Sequence, residues 1–396
     1  MTFIYSNTKF LASLKMLEKG FEVNFLTKTR INKDAPNNDI TELEEGLYYP
    51  LETVFIGKNS SGKTSVLLLI ELILNFIKGG RIPVDLMLDQ DALELKFLFY
   101  DSGYIYLYKG ELYKNELSNL SYMIIRNESL KKTIYKKNYK KDLSNISFPK
   151  DYIFLNEGSG SDTSEIAKLK IADSSIILDL NSIDNSNLAS IIEKINLFYG
   201  NDAFNCLVAL FDDSIESIKP VRLDDNSAAF KFKRVNKPEV LVNLSYLKDR
   251  LSSGTYRGIY LFAASLLSFR LGGDILIDEI EKSFNKNLIE NLFILFNDRR
   301  INRKNASIIY STHYAELLDH SPRCDNINVL HRLGDKISVS NMSTSYEMRT
   351  DISKSNQFEQ NAFDNLTNYD RLMDLRRVLL KWRFFLPAKG KAKFFC

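Results

Sequence analysis

The chain has 396 residues, which is long enough for one large or two medium-sized domains with a substantial apolar core. Its net charge of +3 is unevenly spread, because residues 371–396 carry eight lysines and arginines against one aspartate, and the rest of the chain is slightly acidic. The three cysteines lack disulfide or zinc spacing, the N-terminus lacks a secretion-signal pattern, and no apolar run reaches about eighteen residues. We therefore expect a cytoplasmic protein with no integral membrane partner.

A strand, a glycine-rich loop and a helix are predicted in succession near the N-terminus. Thr53–Ile56 is a short apolar, β-branched run, and the apolar stretch Ser65–Phe76 has the length of a buried helix. Between them the chain matches the phosphate-binding pattern G-x-x-x-x-G-K-[ST] at every fixed position. A glycine-rich hairpin turn is the alternative interpretation. The pattern predicts a nucleoside triphosphate site made of Gly57, Lys58, Asn59, Ser60, Ser61, Gly62, Lys63, Thr64 and Ser65. Here Lys63 would neutralise the outer phosphates and the Thr64 hydroxyl would hold Mg²⁺.

The middle of the chain gives weaker signals. Residues 93–107 alternate apolar and aromatic side chains as an antiparallel hairpin does, and Phe230–Arg234 reads as another strand. The segment 111–204 is rich in Asn, Ser and Lys with loosely helical Ile and Leu spacing, which predicts an inserted helical subdomain without sustained heptads. This segment also contains interleaved basic and aromatic residues, for which two interpretations are open: contact with nucleic acid, or a solvated helix face. These residues are Arg126, Lys131, Lys132, Lys136, Lys137, Lys140 and Lys141 with Tyr135 and Tyr139.

A second anion-binding helix start is predicted around residue 252. The small and hydroxyl residues of Leu251–Thr255 precede a long apolar run, and backbone N–H groups at a helix N-terminus attract anions. Within one subunit the loop at Gly57 already takes the phosphates, so this site makes sense only if it closes over the nucleotide of another subunit. Ordinary capping of a helix is the alternative.

Acidic and imidazole side chains follow two further predicted strands. The apolar run after Asp274 ends in Asp278, which would reach the Mg²⁺ shell, and Glu279, which would act as the general base for an attacking water. The alternative is a buried strand that ends in solvated acids. His313 follows a second apolar run, at the end of a strand where α/β sheets present ligand-facing residues, although a lone histidine is more often structural.

Taken in order, these motifs resemble those of the ABC-type ATPases. Gly57–Thr64, Leu251–Thr255, Asp274–Glu279, Glu281–Asn285 and Ser311–His313 look like the Walker A, signature, Walker B, D-loop and switch-histidine motifs. Asn59 and the Asp-Glu-Ile-Glu-x-Ser run point to the RecF/SMC-like branch. More narrowly, the chain resembles standalone ATPases of bacterial anti-phage and abortive-infection systems, of the OLD-like, Septu, PARIS or AbiL type.

The resemblance implies an α/β fold, an ABC-type P-loop ATPase head with a mixed sheet, an antiparallel β subdomain and an inserted helical subdomain. It also implies ATP and Mg²⁺ as ligands. The catalytic residues would be Lys63, Glu279 and His313, the metal ligands Thr64 and Asp278, and the residues acting on the facing subunit's nucleotide Ser252, Ser253 and Gly254. Gln90 is the nearest candidate for the Q-loop glutamine, and Tyr48 and Tyr49 are candidates for stacking on adenine.

The resemblance further implies how the chain is divided and what it works with. We expect the N-terminal part of the ATPase head in 1–110, the insertion in 111–204, the C-terminal part of the head in 205–345 and an extension with a basic tail in 346–396. The expected assembly is a homodimer or higher homo-oligomer that controls a separate effector protein, a nuclease or toxin. A DNA-repair or chromosome-maintenance ATPase, a transporter subunit and an ATP-binding scaffold are the rivals. The tail could lie on a membrane surface, contact nucleic acid, dock a partner or pack on its own domain.

Overall fold

The computed structural model describes residues 2–7, 21–27, 29, 31, 38–83, 92–114, 122–137, 146–158, 160–171, 174–180, 183, 185–222, 228–283, 286–334, 336–346, 348, 352–360 and 369–382. The strands of these residues are β1 Thr2–Asn7, β2 Glu22–Asn24, β3 Ile40–Glu44, β4 Leu47–Pro50, β5 Glu52–Ile56, β6 Ala92–Asp101, β7 Tyr104–Tyr113, β8 Ile124–Ile134, β9 Phe154–Asn156, β10 Ile176–Leu178, β11 Ile215–Arg222, β12 Ala228–Arg234, β13 Val240–Val242, β14 Asp274–Ile277, β15 Ser307–Thr312, β16 Ile327–Leu333 and β17 Lys336–Asn341. The α-helices are α1 Lys63–Gly79, α2 Asn185–Tyr199, α3 Asn201–Phe211, α4 Leu244–Arg250, α5 Ser253–Leu271, α6 Lys286–Asn297, α7 Met342–Ser345, α8 Lys354–Glu359 and α9 Tyr369–Trp382.

A six-stranded sheet forms the centre of the fold, in the order β10-β14-β15-β5-β16-β17. All of its neighbours pair in parallel except β16 and β17. The strands β5, β14 and β15 are buried along their whole length, as the strands of a parallel sheet are when both faces are covered. Val54 and Ile56 face the core that contains α5, whereas Phe55 faces the core that contains α1. The carboxyl ends of β5, β14 and β15 therefore meet at one edge, and the predicted site residues follow these ends.

A second, antiparallel sheet packs on the outer side of α1, in the order β2-β1-β6-β7-β8-β9. The predicted hairpin of residues 93–107 is confirmed as β6 and β7, which pair from Ala92 opposite Tyr113 to Asp101 opposite Tyr104. Phe76 of α1 meets this sheet edge-on, with its ring centroid 5.2 Å from that of Tyr108. The helix after the phosphate loop is thus fixed between the two sheets.

The predicted helical nature of 111–204 is wrong for its first part. β8 and β9 extend the antiparallel sheet there, and among the described residues of the segment a 3₁₀ turn, Glu165–Leu169, precedes the first α-helix, α2, which begins at Asn185. The reason is an alternation with period two that is interrupted at Asn127: Ile125 is buried beside the exposed Arg126, and after the interruption Glu128 and Leu130 are buried. Strand β7 supplies the backbone partners. Among the basic residues of this segment, Arg126, Lys131 and Lys132 lie on β8; Lys136 and Lys137 follow it, and Lys140 and Lys141 lie outside the described residues.

A helical layer and a small sheet cover the other face of the central sheet. Helices α2 and α3 pack on α5, and β11-β12-β13 form a three-stranded antiparallel sheet that includes the predicted strand at Phe230–Arg234. The packing of α3 on α5 is close enough to require a glycine, because a Cβ on Gly258 would lie 2.2 Å from a ring carbon of Phe211. This layer places the N-terminus of α5, with the predicted second anion site, on the surface.

The described part of the C-terminal extension contacts the head through Asp319, among other residues. Asp319, in the 3₁₀ turn Ala315–His320, accepts hydrogen bonds from the backbone N–H groups of Lys354 (2.7 Å) and Ser355 (3.2 Å) at the start of α8. Farther along, helix α9 overlaps the predicted basic tail. Its side chains of Leu375, Val378 and Leu379 are about half exposed or more. In the described part of the chain, no helix is long and apolar enough to cross a membrane.

Candidate functional site

The phosphate loop has the geometry that the sequence predicts. It leaves β5 at Gly57, and α1 begins at Lys63 directly after Gly62. Gly62 has a φ of 98°, in the left-handed region, and a Cβ there would lie 2.2 Å from the Cδ1 of Ile337. Ser60 also has a positive φ, of 64°. The loop therefore turns in a way that requires glycine at position 62, and it delivers a helix N-terminus to the end of the strand.

Lys63 lies at the bottom of the site. Its ammonium group donates to the carbonyls of Gly57 (2.9 Å) and Lys58 (3.2 Å), and it lies 3.2 Å from Nδ1 of His313. Burial lowers the pKa of Lys63, while the carboxylates of Glu281, Asp278 and Glu279 act against that shift. Since an ammonium can only donate, Nδ1 of His313 accepts and its Nε2 carries the ring hydrogen.

The predicted metal ligands are in contact. The Thr64 hydroxyl donates to Oδ2 of Asp278 at 2.6 Å, and the Ser311 hydroxyl donates to Oδ1 of the same carboxylate. Hydroxyl and carboxylate oxygens are hard ligands of the type that Mg²⁺ prefers, and Mg²⁺ sites in NTPases use few protein ligands. The pair Thr64 and Asp278 therefore fits a magnesium ion held beside the phosphates.

Glu279 follows Asp278 in a backbone conformation that is rare for residues other than glycine, with a φ of 49°. Its backbone N–H donates to the Ser311 hydroxyl oxygen at 2.8 Å, which supports this conformation. Its carboxylate lies 3.0 Å from the ammonium of Lys282 and 3.5 Å from Nε2 of His313. Lys282, and after it His313, lower the pKa of Glu279. The carboxylate is therefore ionised at neutral pH and can accept a proton.

The carboxylate at the start of the run that resembles a D-loop holds His313 in place. Glu281 is buried, and its two oxygens accept from the backbone N–H of His313 at 2.6 Å and from the Thr312 hydroxyl at 2.8 Å. The histidine ring is thereby set between Lys63 and Glu279. The available signal was the second acid of the Asp-Glu-Ile-Glu run, since a charged residue is seldom buried without partners.

The loop, Glu279 and His313 line one cavity of about 490 Å³, together with Arg332 of β16. Arg332 was not among the predicted site residues, and its Nη1 donates to the Ser60 carbonyl at 3.3 Å. A neighbouring cavity of about 530 Å³ contains Thr64, Asp278, Glu71 and Asp179, the last at the carboxyl end of β10. Burial and, after it, the charge of Asp179 raise the pKa of Glu71. The structure therefore brings all predicted loop, metal and catalytic residues to one edge of the sheet.

The residues predicted to act on a facing subunit lie elsewhere. Ser252 is the N-cap of α5, and its hydroxyl accepts from the backbone N–H of Thr255 at 3.0 Å, as in ordinary helix capping. Ser252 and Ser253 are exposed, Gly254 is half-buried, and none of the three lines the two cavities just described. Their action on a second subunit's nucleotide stays a prediction.

The structure gives a different outcome for each candidate for the adenine-stacking residue and the Q-loop glutamine. Tyr49 is buried, and its hydroxyl donates to Asp274 at 3.2 Å, so its ring cannot stack on a nucleotide and this prediction is wrong. Tyr48 is half-buried on β4 and lines neither cavity. Gln90 lies outside the described residues. The strand that pairs with β14 on the side away from β15 is β10, and Asp179 at its carboxyl end lines the same cavity as Thr64 and Asp278.

Comparison with known proteins identifies the family. Residues 53–319, more than half of the chain, match the family model described as "AAA domain, putative AbiEii toxin, Type IV TA system". The chain belongs to this family. Its ATP-binding P-loop and its ATPase-type domain are thereby confirmed. The curated proteins contain no match.

Among solved structures, the chain is similar to the SMC head domain from Thermotoga maritima. The identity is 13%, the match covers 86% of this chain and 99% of that one, and the TM-score is 0.40. The predicted division into segments, the named anti-phage systems and the effector stay predictions.

Proposed function

We propose that this chain is a Mg²⁺-dependent ATPase that converts ATP and water to ADP and phosphate, and that it regulates a separate effector in bacterial anti-phage defence. One observation carries the hydrolytic part of the proposal. Lys63, His313 and Glu279 form a connected row in the cavity that the phosphate loop lines, next to the pair Thr64 and Asp278. A phosphate-binding cation, a metal-binding pair and an ionised carboxylate are the groups that phosphoryl transfer to water requires.

The proposed roles follow from the donors and acceptors of each group. Lys63 and the loop N–H groups hold the phosphates by charge-assisted hydrogen bonds. Glu279 accepts a proton from the attacking water as its oxygen bonds to the terminal phosphorus, and the bond to the ADP oxygen breaks. His313 donates from Nε2 and fixes the carboxylate in position until a phosphate oxygen competes for that hydrogen.

We further propose that two copies of the chain close over two ATP molecules. The exposed N-terminus of α5, with Ser252 and Ser253 at its tip, offers N–H groups and hydroxyls that have no phosphate to bind in their own subunit. A helix of 19 residues has a positive N-terminal end that attracts anions. The terminal phosphate at Lys63 of a second copy fits this chemistry.

The regulatory part of the proposal is supported by the family description, which names a toxin and a toxin–antitoxin system. We propose that ATP-dependent dimerisation is the signal and that a nuclease or toxin on a separate chain is the receiver. Capture of partners by tagged protein tests this: a Glu279→Gln variant, which keeps ATP bound, should change the set of co-purifying proteins relative to Lys63→Ala, which should bind no ATP.

Hydrolysis is tested with the same two variants. Glu279→Gln should lower kcat by about 10²- to 10⁴-fold while ATP still binds, because a general base contributes about that factor. Glu316→Gln is the matched control, since Glu316 is exposed on the 3₁₀ turn after His313 and lines no described cavity. An unchanged kcat in Glu279→Gln would rule out the proposed base.

A DNA-repair or chromosome-maintenance ATPase is the second candidate, and a surface of the antiparallel sheet favours it. Lys109 is exposed on β7, the strand that pairs with β8. Lys131 on β8 lies over the ring of the exposed Tyr152 at 4.1 Å. If this is the function, DNA should stimulate hydrolysis several-fold, and Lys109→Ala together with Lys131→Ala should remove the stimulation.

A further inference from the structure

Arg332 is a cationic residue of the phosphate cavity that belongs to none of the recognised motifs. It lies on β16, which runs parallel to β5 with Val329 opposite Ile56, the last residue before the loop. Three residues beyond Val329, Arg332 is therefore beside the loop itself and lines the same cavity as Lys63. The fold thus brings a second positive charge to the loop from a strand far away in sequence.

The guanidinium of Arg332 makes two hydrogen bonds to backbone carbonyls, and these use fewer than half of its N–H groups. Nε donates to the Gly334 carbonyl at 3.1 Å and Nη1 donates to the Ser60 carbonyl at 3.3 Å. A guanidinium has five N–H groups, so three of them have no acceptor among the residues that the structure describes. Within the described residues, no carboxylate forms an ion pair with Arg332.

We propose that Arg332 binds the polyphosphate of the nucleotide in its own subunit, alongside Lys63. The proposal rests on the proposed function, because it concerns the same ATP site. The three N–H groups of Lys63 are already directed to two loop carbonyls and His313, so a donor of Lys63 must leave one of these acceptors before it can bind a phosphate oxygen. The planar fork of the Arg332 guanidinium suits two phosphate oxygens at once.

A purely structural role is the competing explanation, because Arg332 also clips the loop at Ser60. The two roles differ in what they stabilise. A clip stabilises the protein with or without nucleotide, whereas a phosphate ligand stabilises only the complex. They also differ in the lysine variant, since a lysine keeps the charge but loses the fork.

The experiment measures the Kd of ATP and of inorganic tripolyphosphate, with the thermal midpoint of the protein alone. The variants are Arg332→Ala, Arg332→Lys and the control Lys336→Ala, which removes an exposed positive charge four residues away that does not line the cavity. We expect Arg332→Ala to raise both Kd values by the same factor, about 10- to 100-fold, as expected for loss of charge-assisted hydrogen bonds. Arg332→Lys should fall between wild type and alanine, and the midpoint of the protein alone should change little, because both backbone hydrogen bonds of Arg332 are exposed to solvent.

Three results would overturn the proposal. An unchanged Kd in Arg332→Ala would show that no contact exists. A loss confined to ATP would place Arg332 on the base or ribose, and a lower midpoint of the protein alone with a matching loss of affinity would make it a structural clip. Failure of the proposed function is separate: wild type would then bind no ATP, or Lys63→Ala would bind it as wild type does.

Discussion

Glu52 is a buried acid on the strand that leads to the phosphate loop, and it should make the stability of the protein depend on pH. It lies at the start of β5, away from the nucleotide cavity, and accepts a hydrogen bond from the Tyr310 hydroxyl at 2.6 Å. Burial, as the largest cause, raises its pKa from 4.5 to about 7. The Tyr310 hydrogen bond and the charge of Lys354 act to lower the pKa, and the charge of Asp39 acts to raise it.

The direction and size of the effect follow from this pKa. Because the folded state holds the proton more tightly than the unfolded state, the stabilisation is complete below pH 4.5 and is lost as the pH rises through 7. A difference of 2.5 pKa units at about 1.36 kcal/mol each gives a total of about 3 kcal/mol. Between roughly pH 5 and pH 9, wild type should therefore lose about 2–3 kcal/mol that a neutral side chain at this position would not lose.

Urea unfolding of wild type and Glu52→Gln at the two pH values measures this difference. The amide of the variant can still accept from Tyr310, and any cost of its buried N–H₂ group is the same at both pH values, so the change with pH is the informative quantity. Glu316→Gln, an exposed substitution, is the control. If Glu52→Gln and wild type lost the same free energy between the two pH values, Glu52 would not be the protonated buried acid that the structure indicates.

Three further predictions concern the site. Gly62→Ala forces an alanine to a φ of 98° with its Cβ 2.2 Å from an isoleucine methyl carbon, so ATP affinity should fall at least about 10-fold in a filter-binding assay while circular dichroism stays unchanged. Glu281→Ala leaves the backbone N–H of His313 without its acceptor; unfolding should show a loss of about 1–3 kcal/mol, and single-turnover hydrolysis should slow more than in Glu281→Gln. Ser252→Ala, made in the Glu279→Gln background, should cost about 1 kcal/mol through the lost N-cap and should abolish ATP-dependent dimers in sedimentation velocity; dimers that persist would argue against the facing-subunit role.

The parts of the site that the sequence predicts correctly are those whose geometry is local. The loop from Gly57 to Thr64 turns because of its own glycines, and Asp278 and Glu279 reach the edge of the sheet because they follow a buried strand directly. The role of Arg332, and the contacts that Glu281 of the D-loop-like run makes with β15, were not predicted because they depend on the alignment of strands that are distant in sequence. Nothing in the sequence around position 332 reveals that β16 pairs with β5.

The misread segment 111–204 has a related cause. The residues around β8 contain many lysines, which reduce strand propensity, and the apolar residues recur at intervals that also fit a helix. A strand with one polar face is distinguished from a helix by what it pairs with, and here the partner is β7 of the preceding hairpin. Ile125 and Leu130 are both buried against α1 and its sheet although they are an odd number of residues apart, because the strand is irregular at Asn127, and this hides the period of two in the sequence.

The middle strand β15 ties the separate parts of the site together. Ser311 and Thr312 are neighbours on this strand, so their side chains point to opposite faces, and each contacts the turn that follows β14. On one face the Ser311 hydroxyl bonds Asp278 and the backbone of Glu279; on the other, the Thr312 hydroxyl bonds Glu281. His313, the next residue, contacts both Lys63 and Glu279. The turn after β14 is thus held from both faces by the strand that carries His313. A phosphate that displaced His313 from Glu279 would therefore remove one of the contacts that hold this turn. Helix α6 follows the turn in the chain.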